Sequence, residues 1–431
     1  MNFSSQAAVM NFLNEVADEF PSAISLAAGR PTDRFFGRLN TGVLLDALSG
    51  YERHAAGGQD SLEVRARLLQ YGRTAGMITD LVAQQLRMDE GVAASSDRLL
   101  ITSGCQEALA LCLPALCPDP TDVVLVCNPT YVGVTGAAQA SRVPVFPIPN
   151  TRPDIVDGIE QSLYELHQSG RQARALYLIP NFDNPTGRVI DESQRRAILA
   201  ICARLRIVVL EDNPYGMFRY EGQAVPPMAA LDEAGCVIYL STFSKTLAPA
   251  VRIGAATLPK TLFGDPAGSR ALWQDLVQRK SFVTVNTSQI NQAIVGGLLL
   301  DQNGSLQQWI QPTLAWYRSN RDAMLSQLAA VFEPVSNSIR WNRPAGGFFL
   351  NVDLPFRFDA EAVRECATNY GVIVMPMSFF ALDNSQDQRI RLSFSAVNPE
   401  QIRIGLASLA QYVGQRMGQE LPVLESVSAG S

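Results

Sequence analysis

Residues 237–245 form the run Val-Ile-Tyr-Leu-Ser-Thr-Phe-Ser-Lys. Its first four side chains are apolar, which predicts a strand buried on both faces, and the small hydroxyl residues after them predict a turn that carries Lys245. A lysine at the exit of a core strand is partly desolvated, which lowers its pKa and frees an amine nucleophile. Such an amine can form a Schiff base with an aldehyde cofactor. A surface lysine in a polar turn is the alternative interpretation.

Similar apolar runs recur through residues 98–260 and alternate with helical patterns. The predicted strands are residues 99–102, 123–127, 175–179, 207–210, 237–240 and 254–258. Helical patterns such as 106–116 and 192–205 lie between them. Near-continuous apolar strands that alternate with helices indicate a mostly parallel α/β sheet that is covered on both faces.

The remaining sequence predicts a smaller α+β domain. A long helical periodicity over 304–332 precedes strand patterns at 338–341, 347–352, 372–375 and 389–393, with helices at 360–370 and 399–416. We therefore predict four segments. They are an N-terminal segment that joins the small domain, 1–50; a large domain, 51–310; a small C-terminal domain, 311–416; and a disordered tail of small polar residues, 417–431.

Composition and charge exclude several classes of protein. The chain has 431 residues, of which 47% are hydrophobic and 18% charged, and a formal net charge of −6. This acidic balance argues against a nucleic-acid or anionic-membrane surface, and no apolar run is long enough to span a bilayer. Seven scattered cysteines and an acidic start that does not resemble a secretory signal predict a cytoplasmic protein. Two histidines are too few for an all-histidine metal site, and we predict no metal.

Polar clusters follow several of the predicted strands, where open α/β sheets bind their ligands. The run Ser103-Gly104-Cys105-Gln106 opens a helix, whose free N–H groups and dipole favour an anion such as phosphate. Arg252 offers a planar fork of donors that suits the same anion. A plain glycine turn and a surface arginine are the alternatives.

Other clusters suit a flat ring with a protonated nitrogen. Tyr131 can present its ring face, and Asn184 lies in a loop held by two prolines and a glycine. Asp212 follows a buried strand, where a carboxylate is costly unless it meets a cation such as a protonated pyridine. A core tyrosine and two ordinary turn residues are the alternatives. With Lys245 and the anion turn, these groups are the set that pyridoxal 5′-phosphate requires.

The ordered motifs resemble those of the class I/II aminotransferases, which are fold-type I pyridoxal-phosphate enzymes. Between residues 24 and 396 they are Ser-Gly-x-Gln, Pro-Thr-Tyr, Asn-Pro-Thr-Gly, Asp-x-Pro-Tyr, Ser-Lys-x-x-x-Pro-x-x-Arg-x-Gly and Arg-x-x-Phe-Ser. The loop 24–31, Ile-Ser-Leu-Ala-Ala-Gly-Arg-Pro, resembles the α-aminoadipate/kynurenine aminotransferase branch. The resemblance implies a large domain with a mostly parallel seven-stranded sheet, a smaller α+β domain and a homodimer.

The resemblance also implies roles for individual residues. Lys245 binds the cofactor and shuttles a proton, Asp212 keeps the pyridine nitrogen protonated, and Tyr131 stacks on the ring. The other residues implied to bind the cofactor are Ser103, Gly104, Cys105, Gln106, Asn184, Tyr215, Thr242, Ser244, Arg252 and, across the dimer, Tyr51. The residues implied to face the substrate are Gly29, Arg30, Asn184 and Arg391, of which Arg391 binds the α-carboxylate.

Three departures from the family pattern are present, of which one is conservative because Thr242 replaces a more usual serine. Cys105 stands where relatives often have a hydroxyl residue, so its contact with phosphate is expected through the backbone. Arg30 stands where relatives often have an apolar residue, and we hypothesise that it contacts a polar or acidic substrate side chain. An outward-facing arginine is the alternative for Arg30.

We predict an aminotransferase that moves an amino group from an L-amino acid to a 2-oxo acid by a ping-pong mechanism. The alternative keeps the cofactor and changes the outcome, as in an oxidase, cyclase or substitution enzyme of a biosynthetic pathway, because a fold does not determine a function. A ligand-sensing domain of an aminotransferase-like transcription regulator is disfavoured, since the family motifs begin by residue 24 and the charge is acidic.

Overall fold

The chain folds around a seven-stranded sheet in the computed structural model, which describes residues 15–16, 18–57, 61–149, 154–335, 337–383, 385–419 and 421. The strands are β1 Ile24–Ser25, β2 Leu99–Thr102, β3 Asp122–Cys127, β4 Val145–Ile148, β5 Gln172–Leu178, β6 Val208–Asp212, β7 Val237–Thr242, β8 Gly254–Thr257, β9 Arg340–Trp341, β10 Phe349–Asp353, β11 Val372–Ile373, β12 Met375–Pro376 and β13 Arg389–Ser393. Most of the predicted tail, 417–431, and part of the N-terminal segment lie outside the described residues.

The helices surround this sheet and the smaller one described below. They are α1 Thr41–Ala56, α2 Ser61–Leu68, α3 Thr79–Glu90, α4 Cys105–Leu116, α5 Val132–Ala140, α6 Ile155–Gln168, α7 Glu192–Leu205, α8 Met228–Leu231, α9 Pro266–Val283, α10 Gln289–Asp301, α11 Gln307–Phe332, α12 Ala360–Tyr370 and α13 Pro399–Met417. The predicted bounds of α7 and α12 are confirmed without change, and those of α4 and α13 within one residue. Within the part of the chain that the structure describes, none of the helices has the length and apolar composition that a bilayer crossing requires.

The large sheet has the order β2-β8-β7-β6-β5-β3-β4. β8 runs antiparallel to β2 and β7, whereas the other neighbouring strands pair in parallel. Every residue of β2 and β6 is buried, as expected for strands that helices cover on both faces. The prediction of a mostly parallel seven-stranded α/β sheet is therefore confirmed.

Strand β4 is the element of this sheet that the sequence analysis does not predict. It has only four residues, Val-Phe-Pro-Ile, at the edge of the sheet beside β3. Pro147 lacks a backbone donor and interrupts the apolar run, which is tolerated in an edge strand and not in a central one. The short, interrupted pattern explains why the sequence did not predict this strand.

The strands β3, β5, β6 and β7 are parallel, and β2 runs in the same direction because it and β7 are both antiparallel to β8. The polar turns that follow these five strands therefore lie at one edge of the sheet. Because β8 is antiparallel, its start lies at that same edge, and Arg252 precedes it by two residues. The turn with Lys245 and the arginine after it therefore meet at the carboxyl edge, where ligands bind in such sheets.

A smaller antiparallel sheet, ordered β12-β13-β10-β9, forms beside the large one. The N-terminal strand β1 pairs in parallel with β11, with Ile24 opposite Val372. Arg391 on β13 donates to the Ala27 carbonyl and to Asn184 in the turn after β5. The N-terminal and C-terminal parts of the chain thus reach the carboxyl edge of the large sheet together.

Candidate active site

A cavity of about 570 Å³ opens at the carboxyl edge of the large sheet, a size that suits a cofactor with a small substrate. The predicted site residues that line it are Gly29, Arg30, Gly104, Cys105, Gln106, Tyr131, Asn184, Asp212, Tyr215, Thr242, Ser244, Lys245, Arg252 and Arg391. Ser103 touches this set through its carbonyl, which accepts from Arg252 at 2.7 Å. Tyr51 does not line the cavity, and its hydroxyl donates to the Met77 carbonyl at 3.3 Å.

Lys245 lies in the turn after β7, and its Nζ donates to the Gly29 carbonyl at 3.2 Å. Burial lowers the pKa of Lys245 to about 8, although the nearby Asp212 carboxylate acts in the opposite direction. Near neutral pH the side chain therefore exchanges readily between ammonium and amine. This is the property that a nucleophile and proton carrier needs.

Asp212 ends β6 and is almost completely buried, with 3% of its surface exposed. Tyr177 donates its hydroxyl to Asp212 Oδ2 at 2.8 Å, while Oδ1 has no hydrogen-bond partner among the described residues. Burial raises the pKa of Asp212 to about 6. A buried carboxylate oxygen without a partner is costly, so this site favours a cationic donor at Oδ1.

Tyr177 is a site residue that the sequence motifs do not include, although the sequence holds one signal for it. Tyr177 is the single aromatic residue in the buried, otherwise small and aliphatic half of β5, Ala-Leu-Tyr-Leu. It lies opposite Leu210 on β6, two residues before Asp212. A polar tip in a fully buried strand must find a partner, and the carboxylate at the end of the next strand is within reach.

The anion turn depends on a glycine. Gly104 has φ 82° and immediately precedes α4. This positive φ favours glycine, and a Cβ atom there would lie 2.7 Å from Nη2 of Arg252 and so displace the end of that side chain. Arg252 donates to Ser244 Oγ at 3.3 Å, and Thr242 donates to the same oxygen at 3.0 Å. A guanidinium, two hydroxyls and a helix N-terminus thus meet in one place, as anion binding requires.

Three further predicted residues line the cavity beside the anion turn. Cys105 and Gln106 donate hydrogen bonds to backbone carbonyls, and Tyr131 is a neutral phenol. The Cys105 thiol donates to the Ser241 carbonyl at 3.3 Å, and burial raises its pKa well above the ordinary value, so it remains a neutral thiol. Gln106 donates to the Gly133 carbonyl at 2.8 Å. Burial raises the pKa of Tyr131 to about 12, so this residue, which directly precedes α5, is a neutral phenol.

Arg391 is a buried cation, with 3% of its surface exposed. It donates to Asn184 Oδ1 at 2.6 Å and to the Ala27 carbonyl at 2.7 Å, and its Nε has no hydrogen-bond partner among the described residues. Its guanidinium stacks on Phe349 and Phe380, at 4.2 and 4.7 Å from their ring centroids. Burial lowers its pKa to about 10, so it stays charged at neutral pH. In the described part of the chain no carboxylate pairs with it, which suits a carboxylate ligand.

The free oxygen of Asp212, the uncompensated Arg391 and the glycine turn fit pyridoxal 5′-phosphate with an amino-acid carboxylate. Together with Lys245 on a mostly parallel seven-stranded sheet, these features define a fold-type I pyridoxal-phosphate enzyme. Residues 59–409 match the family model for aminotransferase class I and II. The chain belongs to the class I/II aminotransferases.

Individual relatives agree with this family. The chain is 37% identical over 409 residues to (S)-3,5-dihydroxyphenylglycine transaminase from Amycolatopsis orientalis, which covers 95% of this chain and 92% of that protein. It is 32% identical over 407 residues to aromatic-amino-acid aminotransferase 1 from Thermococcus litoralis, covering 93% and 90%. The solved structure of Pyrococcus horikoshii kynurenine aminotransferase, in complex with PMP, has a TM-score of 0.79 at 29% identity and covers 95% of each chain.

These similarities confirm the resemblance drawn from the motifs, including the kynurenine aminotransferase branch. The protein is a pyridoxal-phosphate-dependent aminotransferase that moves an amino group from an amino acid to a 2-oxo acid. The alternative of a non-transaminating enzyme with the same cofactor is not favoured, because the relatives reported above are transaminases.

Proposed function

We propose that this aminotransferase takes aromatic L-amino acids, arylglycines included, as its amino donors. The observation that carries the proposal is an apolar wall of the cavity formed by Ile373, Met375, Phe380 and Val132. Met375 lies opposite Arg391 in the paired strands β12 and β13. A donor whose α-carboxylate binds Arg391 therefore has its side chain against this wall, which favours an aromatic ring. The names of two relatives, which specify dihydroxyphenylglycine and aromatic amino acids, support the same class.

The residues of the chain divide the work of transamination. Bound pyridoxal phosphate supplies an electron sink for the pair left on the substrate Cα. Arg391 and Asn184 orient the substrate carboxylate, and Lys245 Nζ, with a pKa of about 8, takes the proton from Cα. Asp212 Oδ1 would accept from the protonated ring nitrogen of the bound cofactor, and Tyr177 donates to Oδ2 of the same carboxylate.

The test of donor class is steady-state kinetics of the purified holoenzyme with one 2-oxo acid and a panel of L-amino acids. We expect kcat/KM for phenylalanine, tyrosine and phenylglycines to exceed that for aspartate and lysine by at least about tenfold, because a charged side chain loses solvation against the apolar wall. Double-reciprocal plots at several acceptor concentrations are expected to be parallel. A preference for aspartate or lysine over every aromatic donor would contradict the proposal.

Arg30 lies at the rim of this cavity and is exposed. Its carbonyl accepts from Ser395 Oγ at 2.6 Å, which fixes the backbone, and no carboxylate pairs with its guanidinium among the described residues. We expect Arg30→Leu to lower kcat/KM about tenfold for donors with hydroxyl or acid groups on the side chain and to leave phenylalanine unchanged, since one hydrogen bond is lost. Arg34→Leu is the control, because Arg34 stacks on Trp316 outside the cavity. Unchanged relative kcat/KM across acidic, basic and apolar donors would refute this role.

We further propose a cytoplasmic homodimer, but the structure argues against the role expected for Tyr51 at the phosphate of the other subunit. Tyr51 is only 7% exposed, its ring packs on Gly296 of α10, and its hydroxyl donates to the Met77 carbonyl of its own chain, so it faces inward. Exposed apolar side chains, Leu45 on the same helix and Phe282 and Val283 at the end of α9, support a subunit contact. All seven cysteines are free thiols, which fits a reducing compartment. Sedimentation of the holoenzyme as a monomer would contradict the dimer.

A further inference from the structure

A buried ion pair joins α4 to α9 beside the anion turn. Lys280 Nζ lies 2.8 and 2.9 Å from the two carboxylate oxygens of Glu107, and the side chains are 0% and 7% exposed. Thr284 completes the group, because its hydroxyl donates to Glu107 at 2.6 Å and accepts from Lys280 at 2.9 Å. Burying two charges is costly unless further hydrogen bonds satisfy them, and here they do.

This pair is connected to the backbone of the anion turn. Glu107 Oε2 accepts the Ser103 N–H at 2.5 Å, and the Ser103 carbonyl accepts from Arg252 at 2.7 Å. The N–H and the carbonyl of Ser103 are therefore both hydrogen-bonded to charged side chains, those of Glu107 and Arg252. Gly104, which follows directly, begins the anion site, and Arg252 donates into the same site through Ser244.

We propose that Glu107 and Lys280 are positioning residues for the cofactor phosphate, which set the Ser103–Gly104 turn and, through the Ser103 carbonyl, the direction of the Arg252 guanidinium. The proposal rests on the cofactor assigned above. Neither residue lines the cavity, so both act through Ser103 and touch neither cofactor nor substrate. Their effect is therefore confined to the phosphate end of the ligand.

The charges of the pair explain why both members are needed. A lone carboxylate this close to an anion site would repel phosphate, and Lys280 cancels that charge. Burial alone raises the pKa of Glu107, but the hydrogen bonds from Lys280, Thr284 and the Ser103 N–H outweigh it and lower the pKa below its ordinary value. Glu107 thus remains an acceptor for Ser103 across the neutral pH range.

The test compares two double variants that carry the same net charge. Glu107→Leu/Lys280→Met removes the acceptor of the Ser103 N–H, whereas Glu107→Gln/Lys280→Met retains one in the amide oxygen. Dissociation constants of the cofactor-free proteins are measured for pyridoxal phosphate and for pyridoxal, which lacks the phosphate. We expect the leucine variant to bind pyridoxal phosphate about tenfold more weakly than the glutamine variant, and both to bind pyridoxal equally.

Equal affinity of the two variants for pyridoxal phosphate, or a parallel loss for both ligands, would overturn the positioning role. Failure of the wild-type chain to bind pyridoxal phosphate would instead overturn the proposed cofactor. Asp122→Asn is the control for altering a buried carboxylate, because Asp122 pairs with Arg174 at 3.0 Å at the opposite end of the sheet. Should the leucine variant not fold, Thr284→Val, which removes one hydroxyl from the group, is expected to weaken only pyridoxal phosphate, by about threefold. If Thr284→Val left the ratio of the dissociation constants for pyridoxal phosphate and pyridoxal unchanged, the proposal would also be refuted.

Discussion

Replacement of Lys245 by alanine is expected to lower the turnover of the holoenzyme by about 10²- to 10⁴-fold, because proton transfer at the substrate Cα loses its carrier. Lys245 is the only lysine among the described residues that line the cavity, and no histidine lines it. The measurement is formation of the 2-oxo acid from an aromatic donor at saturating cofactor. Added methylamine is expected to restore part of the activity, since a free amine can enter the space that the side chain leaves.

Lys260→Ala is the matched control, because Lys260 is an exposed lysine three residues after β8. It is expected to keep wild-type turnover. If Lys245→Ala lost less than about tenfold while its thermal unfolding matched that of the wild type, Lys245 would not be the proton carrier.

The second large effect is expected at Asp212, where one substitution should stabilise the chain and impair the enzyme. Asp212→Asn cannot hold a proton on the ring nitrogen, and we expect kcat to fall by about 10²- to 10³-fold, as for the loss of other buried electrostatic contacts in active sites. Steady-state kinetics at saturating cofactor measures this loss. Wild-type kcat in the variant would contradict the role of Asp212.

The stability change follows from the pKa of Asp212, raised by burial from 3.8 to about 6. Between these values the folded chain binds more protons than the unfolded chain, so this group lowers stability as pH rises through that window. Two pKa units correspond to about 3 kcal/mol. The cofactor-free Asp212→Asn variant is therefore expected to unfold at a higher temperature than the wild type at pH 8, and at the same temperature once the pH lies well below 3.8, where Asp212 is protonated in both states. A lower unfolding temperature for the variant than for the wild type at pH 8 would show that ionisation of Asp212 does not destabilise the folded chain.

Much of the fold follows from local patterns. Runs such as Leu99–Thr102 predict strands that are covered on both faces. When such strands run in the same direction, the turns that follow them lie at one edge of the sheet. For this reason the sequence alone predicts that Lys245, Asp212 and Asn184 lie close together. The strand β4 could not be predicted, because Pro147 interrupts its apolar pattern at the edge of the sheet.

Partnerships across long sequence distances could not be predicted in the same way. Lys280 pairs with Glu107 over a separation of 173 residues, and neither belongs to a motif that carries chemistry. The stack of Phe349 and Phe380 on Arg391 depends on how the strand β10 and the loop before β13 pack in the smaller sheet. Side-chain contacts of this kind depend on tertiary packing. Sequence periodicity indicates which residues are buried, but it does not indicate which residues they contact.

Transamination by this chain is tested most directly by a single turnover of the holoenzyme with an excess of one aromatic L-amino acid and no acceptor, with the products identified. We expect one pyridoxamine phosphate and one 2-oxo acid per active site, with no ammonia and no peroxide. Release of ammonia or peroxide, or a rearranged product without pyridoxamine phosphate, would contradict transamination and restore the non-transaminating alternative.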